Sequence, residues 1–275
     1  MYKIEEKVAL VTGSTAGLGK ELALQLCSGG ARVALNGRDP EKLDEIASEL
    51  REQGFDVFAV QGDVGNPEDC RRVIDQCVEH FGRLDILISN AGISSGGKFT
   101  DTNPEIFKRV FDINTLGTIY ITRYALPHIQ KTGGSIVFIS SLAALVGLPY
   151  ASLYCSSKMA LTAIGQSLQV ELRGTGVHVG IVYVGFLKNG PDKRVVGPDG
   201  NLQPTGSRET VRLQPMDQAG RAIIRVIQKR KRKKVMSLMG KLVHTGLHLA
   251  PWLVRLIVIR SKKRARDAYE PRADV

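Results

Sequence analysis

The stretch "KVALVTGSTAGLG", residues 7–19, decides the fold of this chain. Its apolar run from Val8 to Val11 predicts a buried strand, and the glycines that follow predict a tight turn into a helix from about Leu18 to Ser28. Glycines remove side chains where the backbone turns, and the first turn of a helix offers free N–H groups and a positive dipole. A phosphate-bearing ligand can therefore approach this turn closely. A tight turn without a ligand is the alternative interpretation.

The same strand–turn–helix unit recurs along the chain. "ARVALNGR" predicts a second strand, and "DPEKLDEIASELREQG" predicts a helix that Asp39 caps, with Pro40 at its first position and Gly54 after its end. Further strands are expected in "DVFAVQGDV", "LDILISNAG", "GSIVFISS" and "HVGIVYVG", with helices through "PEDCRRVIDQCVEHFG", around Phe107 to Ile129 and through "LYCSSK". A short seventh strand is expected at Val235 to Leu238. This alternation predicts an α/β fold, a doubly wound parallel sheet of about seven strands with helices on both faces.

Composition is that of one large globular domain. Of 275 residues, 43% are hydrophobic and 24% charged, and 29 glycines with 6% aromatics favour an α/β protein over a β-sandwich. The opening stretch "MYKIEEKVALVTG" goes from two glutamates directly into an apolar run, without a signal-peptide pattern, so a cytoplasmic location is expected. The four cysteines lack CxxC spacing and are interpreted as reduced thiols. A metal site is not expected, because His244 and His248 have no convincing third ligand.

Positive charge is concentrated near the C-terminus. Thirteen basic residues and no acid lie between Lys229 and Arg266, whereas the chain before Lys229 is balanced; the net charge is +11. We therefore divide the chain into a body, residues 1–238, and a basic-apolar helical extension, residues 239–275. Within the body, residues from about 185 to 215 are rich in Gly, Pro and charge and predict a mobile lid over a pocket. A disordered connector is the alternative.

The stretch "LYCSSK" places Tyr154 and Lys158 one helical turn apart on one face. A free phenol has a pKa of about 10, and bringing it near 7 requires roughly 4 kcal/mol in favour of the phenolate. One ammonium at about 5 Å supplies roughly 3 kcal/mol at an effective dielectric of about 20. The pair is therefore a candidate proton donor and its activating cation. A chance pair is the alternative, since the spacing alone is not specific.

The position of the glycine turn, after the first strand and before a helix, is typical of dinucleotide binding. The residues at the end of the second strand should then meet the adenosine ribose of that dinucleotide. A carboxylate there would bind a ribose 2′-hydroxyl and repel a 2′-phosphate. This chain has Gly37 at that place and Arg38 after it, while Asp39 serves as the helix cap. The pattern favours NADP(H) over NAD(H). Arg38 as a solvated surface charge is the alternative.

At this point the chain resembles the short-chain dehydrogenase/reductase family, from about residue 5 to residue 185. "TGSTAGLG" has the family's TGxxxGxG spacing, Asp63-Val64 matches its adenine-binding pair, and "SNAG" at 89–92 matches its NNAG. Ser141 precedes Tyr154 by the family's thirteen residues, and Asn114 in "DINTLG" fits the remaining catalytic position. The resemblance implies a Rossmann-type fold and an NADP(H)-preferring reductase.

The resemblance also assigns roles. Tyr154 would be the general acid or base, Ser141 would polarise the substrate oxygen, Lys158 would bind the nicotinamide ribose, and Asn114 would anchor a water linked to Lys158. The implied cofactor-binding residues are Gly13, Ser14, Thr15, Gly17, Leu18, Gly19, Arg38, Asp63, Val64, Asn90, Ala91, Gly92, Tyr154, Lys158, Gly185 and Asn189. By family position, the expected substrate residues are Ser94, Leu142, Leu148, Tyr150 and Phe186.

Three departures from the family pattern concern the cofactor. Val184-Gly185 stands where Pro-Gly is usual, Asn189 where a threonine is expected, and Ala16 where many NADP-preferring members carry a basic residue. Nicotinamide anchoring is therefore less defined than the catalytic set, and Arg38 must supply most of the 2′-phosphate preference.

The function favoured by these residues is an NADP(H)-dependent carbonyl reductase or alcohol dehydrogenase acting on an apolar or lipid-like small molecule, in a homo-oligomer (dimer or tetramer). Two alternatives are a catalytically silent NADP-binding scaffold or regulatory protein and an epimerase that uses the same tyrosine and lysine. A third is a protein that binds nucleic acid through its basic tail, and nucleic acid is the partner we favour least.

The C-terminal extension has its own prediction. The span from Leu247 to Ile259 contains Pro251 and Arg255 and, at 13 residues, is too short to cross a bilayer. It is expected to lie on an anionic membrane surface. The apolar side would be Trp252, Leu253, Leu256, Ile257 and Ile259, and the cations would be Arg255, Arg260, Lys262, Lys263, Arg264 and Arg266. Packing of the apolar residues on the body, or in a subunit interface, is the alternative.

Overall fold

The computed structural model of the chain describes residues 1–188, 194–204 and 213–269. A parallel sheet of seven strands, in the order β3-β2-β1-β4-β5-β6-β9, forms its centre. Those strands are β1 Val8–Thr12, β2 Arg32–Gly37, β3 Val57–Gln61, β4 Ile86–Ser89, β5 Ser135–Ser141, β6 His178–Val184 and β9 Lys233–Val235. The strand order reverses between β1 and β4, as in a doubly wound sheet. The predicted fold class is confirmed.

Helices cover both faces of the sheet. They are α1 Gly17–Ser28, α2 Pro40–Glu52, α3 Pro67–Phe81, α4 Pro104–Phe111, α5 Gly117–Thr132, α6 Ser152–Glu171, α7 Met216–Gln228, α8 Leu238–Leu249, α9 Pro251–Arg260 and α10 Lys262–Tyr269. Helices α1, α2 and α7 enclose one apolar core, and α3, α5 and α6 enclose the other. Because the sheet lies between two apolar cores, its strands are nearly continuous apolar runs in the sequence.

Helix α2 shows how local sequence sets an element. The Asp39 side chain accepts a hydrogen bond from the Lys42 amide at 3.2 Å, and Pro40 occupies the first helical position. The helix ends before Gly54, whose φ is +83°. The predicted apolar stripe is buried: Leu43, Ile46, Ala47 and Leu50.

Two sequence-based boundaries differ from the structure. The helix expected around Phe107 to Ile129 is divided by a π-helical turn, Asp112–Leu116, between α4 and α5. The seventh strand, predicted at Val235–Leu238, lies two residues earlier and ends at Val235. Its end is set by Ser237, whose Oγ accepts a hydrogen bond from the Gly240 amide at 2.9 Å and so begins α8.

The segment predicted as a lid carries regular structure in its described part. Strands β7 Arg194–Val196 and β8 Leu202–Pro204 form an antiparallel ribbon. A bridge between Ser95 and Val196 ties the ribbon to the loop after β4. The division into body, lid and extension remains a prediction.

The extension, from its first helix α8 onward, is helical in its described part. No helix within the described ranges is long and apolar enough to cross a membrane.

Candidate active site

A cavity of about 670 Å³ opens at the carboxyl ends of the sheet strands. This is the edge at which open α/β sheets bind ligands. Most of the predicted site residues line it: Gly13, Thr15, Gly17, Leu18, Gly19, Arg38, Asp63, Val64, Asn90, Ala91, Gly92, Ser94, Ser141, Tyr154, Lys158 and Gly185. The glycine turn and the tyrosine–lysine pair, separated by more than 130 residues in the sequence, thus share one cavity.

The glycine turn between β1 and α1 is tightly packed against its own backbone. A Cβ at Gly19 would lie 2.0 Å from the Gly13 carbonyl oxygen, and Gly13 itself has φ +63°. The Asn90 side chain donates through Nδ2 to the carbonyl oxygens of Thr12 and Gly13 at 2.9 and 3.2 Å. Among the described residues no side chain caps α1, and its first turn contains no acid. The free N–H groups and the missing Cβ atoms fit the phosphates of a dinucleotide.

Ser14 has a different place from the one expected. It is fully buried and does not line the cavity; its Oγ accepts from the Asn36 amide at 2.9 Å and donates to the Asn36 carbonyl oxygen at 3.2 Å. Its hydroxyl therefore holds the glycine turn against the end of β2. The Asn36 side chain in turn donates to the carbonyl oxygens of Val60, in β3, and of Gly62, just after β3.

Gly37, at the end of β2, faces the glycine turn. A Cβ at Gly37 would lie 2.5 Å from Thr15 Cγ2, so the threonine methyl occupies the space that any longer residue would need. Arg38 follows at the cavity rim, with Nη1 3.5 Å from Asp63 Oδ2. The site thus presents a guanidinium, and no side chain at Gly37, where a ribose-binding carboxylate would stand.

Lys158 is held deep in the wall of the cavity. It is 5% exposed, and its Nζ donates to the Ile139 carbonyl oxygen at 3.1 Å. Burial lowers the pKa of Lys158 to about 8, because a low-polarity surrounding disfavours the ammonium. Gly92 permits this position, since a Cβ there would lie 3.1 Å from the lysine Nζ.

Asn114 lies on the π-helical turn behind the cavity and does not line it. Its Oδ1 accepts from the Ile93 amide at 2.8 Å, and its Nδ2 donates to the Ile93 carbonyl oxygen at 2.9 Å and to Ser157 Oγ at 3.0 Å. Ser157 donates in turn to the Tyr154 carbonyl oxygen at 2.9 Å. Asn114 therefore fastens the loop after β4 to the helix that carries Tyr154 and Lys158. The water-anchoring role stays a prediction.

Ser141 ends β5 and lines the cavity together with Tyr154. Its Oγ accepts a hydrogen bond from the Ala143 amide at 3.2 Å, which fixes the hydroxyl oxygen while leaving its proton for another acceptor. This geometry suits a donor to a substrate oxygen.

The expected substrate residues are placed unequally. Ser94 lines the cavity, whereas Leu142, Leu148, Tyr150 and Phe186 do not. Leu142 packs with Tyr183 and Val235, Leu148 lies in a small cluster with Tyr154, and Tyr150 lines a second, much smaller cavity. Phe186 is 42% exposed, and Asn189 lies outside the described residues.

Several lining residues were not predicted from sequence. Among them are Arg194 and five apolar residues: Ile93, Leu187, Val196, Leu202 and Met216. Three of the six belong to the β7–β8 ribbon, which the composition of the segment concealed. The apolar pair Val195-Val196 within a charged, glycine-rich stretch is the one signal that pointed to it.

Comparison with known proteins agrees with this geometry. A family model described as short chain dehydrogenase matches residues 7–196. Among curated proteins, an 11-beta-hydroxysteroid dehydrogenase-like protein of Arabidopsis thaliana is 40% identical over 66% of this chain and 59% of its own length. Versicolorin reductase of Emericella nidulans is 37% identical over 68% of this chain and 71% of its own.

Solved structures share the fold. A short-chain dehydrogenase/reductase of Burkholderia phymatum in complex with NAD has a TM-score of 0.78 at 22% identity, with both chains fully covered. An alcohol dehydrogenase of Thermococcus sibiricus complexed with 5-hydroxy-NADP has a TM-score of 0.73 at 26% identity, over 84% of this chain and 95% of its own.

The matched region spans about half to three fifths of the length of the plant relatives. The family match, residues 7–196, covers the glycine turn, Ser141 and the Tyr154–Lys158 pair. The chain belongs to the short-chain dehydrogenase family.

Proposed function

We propose that the chain is an NADP(H)-dependent oxidoreductase that interconverts a carbonyl group and a secondary alcohol on an apolar small molecule. One observation carries the proposal: Ser141, Tyr154 and Lys158 share a single cavity with an uncapped glycine turn. A dinucleotide held at the turn would extend towards a hydroxyl donor, a phenol and a buried cation, which are the groups needed at a reacting carbonyl.

The residues divide the work at the substrate oxygen. A bound nicotinamide supplies or accepts the hydride. Tyr154 gives its proton to the oxygen during reduction and takes it back during oxidation. Ser141 donates a second hydrogen bond to the same oxygen, and the ammonium of Lys158 stabilises the phenolate that Tyr154 becomes. Asn114 acts through position, because it holds the helix of Tyr154 against the loop after β4.

The preference for NADP(H) rests on this chain's own residues. Arg38 lies at the cavity rim, and Gly37 has no carboxylate to repel a 2′-phosphate. Arginine binds phosphate through charge-assisted hydrogen bonds, which supports the assignment. The structural relatives include one complex with NAD and one with an NADP derivative, so fold similarity is neutral on this point.

The apolar lining supports the substrate class. Ile93, Leu187, Val196 and Leu202 give the cavity hydrophobic walls around a few polar groups, as is typical of small-molecule sites. Met216 is apolar too but lies against Gly17 at the glycine turn. The Arabidopsis relative is named for a hydroxysteroid, an apolar polycyclic alcohol.

We extend the proposal to assembly and location. Homo-oligomerisation, as a dimer or tetramer, and a cytoplasmic location are part of it, as the sequence predicts. Peripheral contact with an anionic membrane is included because Trp252, Leu253, Leu256, Ile257 and Ile259 are all exposed. A cofactor-binding scaffold without turnover is the competing function.

A substrate screen tests the proposal. NADPH absorbance is followed with ketosteroids, acyl ketones, long-chain aldehydes and quinones. We expect oxidation with at least one class, and we expect Tyr154→Phe to lose turnover while binding NADPH within a few fold of the parent. Tyr120→Phe, on α5, is the matched control. NADPH binding without turnover of any carbonyl would favour the scaffold, and near-normal kcat in Tyr154→Phe would remove Tyr154 as the acid.

A further inference from the structure

The exposed face at the start of α8 combines two properties that rarely occur together on a water-exposed surface. Leu238, Met239 and Leu242 are 73, 67 and 60% exposed, and they occupy adjacent turns of one helix. Lys241, also exposed, lies in the same turns. An apolar patch with an adjoining cation is typical of a helix that lies in a lipid–water boundary.

The body contributes further cations beside that patch. Lys234, in β9, is partly buried, and this burial lowers its pKa; the positive charges of Lys241, Lys231 and Arg225 lower it further. The cluster of Arg225, Lys231, Lys234 and Lys241 therefore joins the end of α7, the sheet edge and α8. No acid occurs in the sequence from Lys229 to Arg266, so no carboxylate of that stretch neutralises it.

We propose that this cluster, together with Leu238, Met239 and Leu242, forms a binding surface for the phosphate headgroups and upper acyl chains of an anionic phospholipid membrane. The inference rests on the peripheral membrane contact proposed above and moves its headgroup site from the end of the extension to the junction between the body and the extension. Clustered cations attract anionic headgroups, and the transfer of the apolar side chains out of water lowers the free energy of the bound state. A polyanionic nucleic acid fits the charge but leaves the exposed leucines and methionine in water.

The position of α8 links this surface to the active site. Gly240 is buried, and a Cβ there would lie 2.2 Å from Leu142 Cδ2 and 2.9 Å from Val235 Cγ1. Leu142 directly follows Ser141, and a Cβ at Gly185 would also lie 3.5 Å from Leu142 Cδ1. A membrane bound at α8 would thus lie one packing layer from the catalytic serine, close enough to deliver an apolar carbonyl compound.

The test is co-sedimentation of the full chain with vesicles. Neutral phosphatidylcholine vesicles are compared with vesicles that also contain phosphatidylglycerol, at about 0.1 M and about 1 M salt, where screening differs roughly threefold in length. Lys231→Gln/Lys241→Gln removes two cations of the cluster, and Lys3→Gln/Lys131→Gln removes two exposed cations elsewhere. Met239→Gln/Leu242→Gln removes the apolar contact, with Val170→Gln, 74% exposed on α6, as control.

We expect the parent to pellet with anionic vesicles at low salt and to be released at high salt. Each cation near such a surface changes partitioning by about fivefold, so Lys231→Gln/Lys241→Gln should weaken it about 30-fold, and the controls should not. Met239→Gln/Leu242→Gln should also weaken it. Circular dichroism and NADPH binding, measured on every variant, distinguish a lost surface from a lost fold.

Four outcomes of the binding measurements overturn the inference, and a fifth comes from the oligomeric state. They are equal pelleting with neutral vesicles, no pelleting with anionic ones, full pelleting of Lys231→Gln/Lys241→Gln, and tighter binding to a DNA duplex that the same substitutions abolish. A concentration-dependent dimer lost in Met239→Gln/Leu242→Gln would also overturn it, by assigning the patch to a second copy. Carbonyl reduction, measured on a soluble substrate without vesicles, is independent of all these results and tests the oxidoreductase proposal separately.

Discussion

Arg38 Nη1 lies 3.5 Å from Asp63 Oδ2, and both side chains are about half exposed. The other carboxylate oxygen of Asp63 accepts from the Gly65 amide at 2.9 Å, so the acid is fixed and the arginine is directed towards it across the cavity rim. An exposed ion pair of this kind is worth about 1 kcal/mol or less. A phosphate, with more negative charge and more acceptors, can therefore take the guanidinium from Asp63.

Reversing the charge of Arg38 should separate the two nicotinamide dinucleotides. In Arg38→Asp, a charge-assisted contact to the 2′-phosphate becomes a repulsion, so we expect NADPH affinity to fall by at least about 100-fold and NADH affinity to change by less than about threefold. Fluorescence titration with each dinucleotide measures both. Arg71→Asp, on the exposed face of α3, is the control for net charge. Equal losses for the two cofactors would mean that Arg38 does not touch the 2′-phosphate.

Thr15 and Gly37 should behave as a coupled pair. Because a Cβ at Gly37 would lie 2.5 Å from Thr15 Cγ2, we expect Gly37→Asp alone to destabilise the protein by about 1–3 kcal/mol. Thr15→Ala/Gly37→Asp should recover most of that loss and bind NADH better than NADPH. Urea unfolding and dinucleotide titration of both single variants and the double variant complete the cycle. If the stability changes of Thr15→Ala and Gly37→Asp simply added in the double variant, the Thr15 methyl would not be what restricts Gly37.

Much of the fold was predictable because its signals are local. Asp39, Pro40 and the buried stripe of α2 specify that helix within sixteen residues, and each strand of the sheet core reads as an apolar run. The π-helical turn at Asp112–Leu116 was not predictable in this way. It is followed by a close tertiary approach that the local sequence does not reveal, since a Cβ at Gly117 would lie 2.9 Å from the Val64 carbonyl oxygen. The shift of β9 likewise depends on a cap, Ser237, that competes with strand continuation.

The residues of the candidate site also fall into two groups, those that local sequence predicts and those that depend on distant contacts. Glycines and the Tyr154–Lys158 spacing are visible in the sequence because backbone approach and helix periodicity constrain them directly. The burial of Ser14, the contacts of Asn114 with Ile93 and Ser157, and the ribbon that contributes Leu202 depend on residues distant in sequence. Family position placed Leu142 and Phe186 in the pocket, but packing against β6, β9 and α8 holds Leu142 away from it.

The buried ammonium of Lys158 should lower the free energy of unfolding of the parent protein. Its pKa falls from 10.5 to about 8 on folding, so the buried ammonium disfavours the folded state below pH 8 by about 3 kcal/mol. Lys158→Met keeps the length and removes the charge, although it also loses the hydrogen bond to Ile139. We expect this variant to be inactive and, at pH 7, more stable than the parent by about 1–3 kcal/mol.

The pH dependence of that difference gives a sharper test. Between pH 8 and 10.5 the unfolded chain binds a proton at Lys158 that the folded chain lacks, so the parent gains about 1.4 kcal/mol of stability per pH unit relative to Lys158→Met. Chemical unfolding at pH 7, 8.5 and 9.5 should show the gap narrowing. Lys131→Met, at an exposed position, should show a constant difference. A stability difference between the parent and Lys158→Met that does not change with pH would mean that folding does not lower the pKa of Lys158.

Gly240 should transmit changes in α8 to the substrate site. Gly240→Val would force Leu142 and the start of α8 apart, since even a Cβ would lie 2.2 Å from Leu142 Cδ2. Because Leu142 follows Ser141 directly, we expect KM for an apolar carbonyl substrate to rise several fold, with stability lower by about 1–3 kcal/mol and NADPH affinity unchanged. Gly246→Ala is the matched control, because its Cβ would meet Val254 within the extension, at 2.9 Å. Steady-state kinetics and NADPH titration on both variants measure these effects. An unchanged KM in Gly240→Val, or an equal rise of KM in Gly246→Ala, would contradict this coupling.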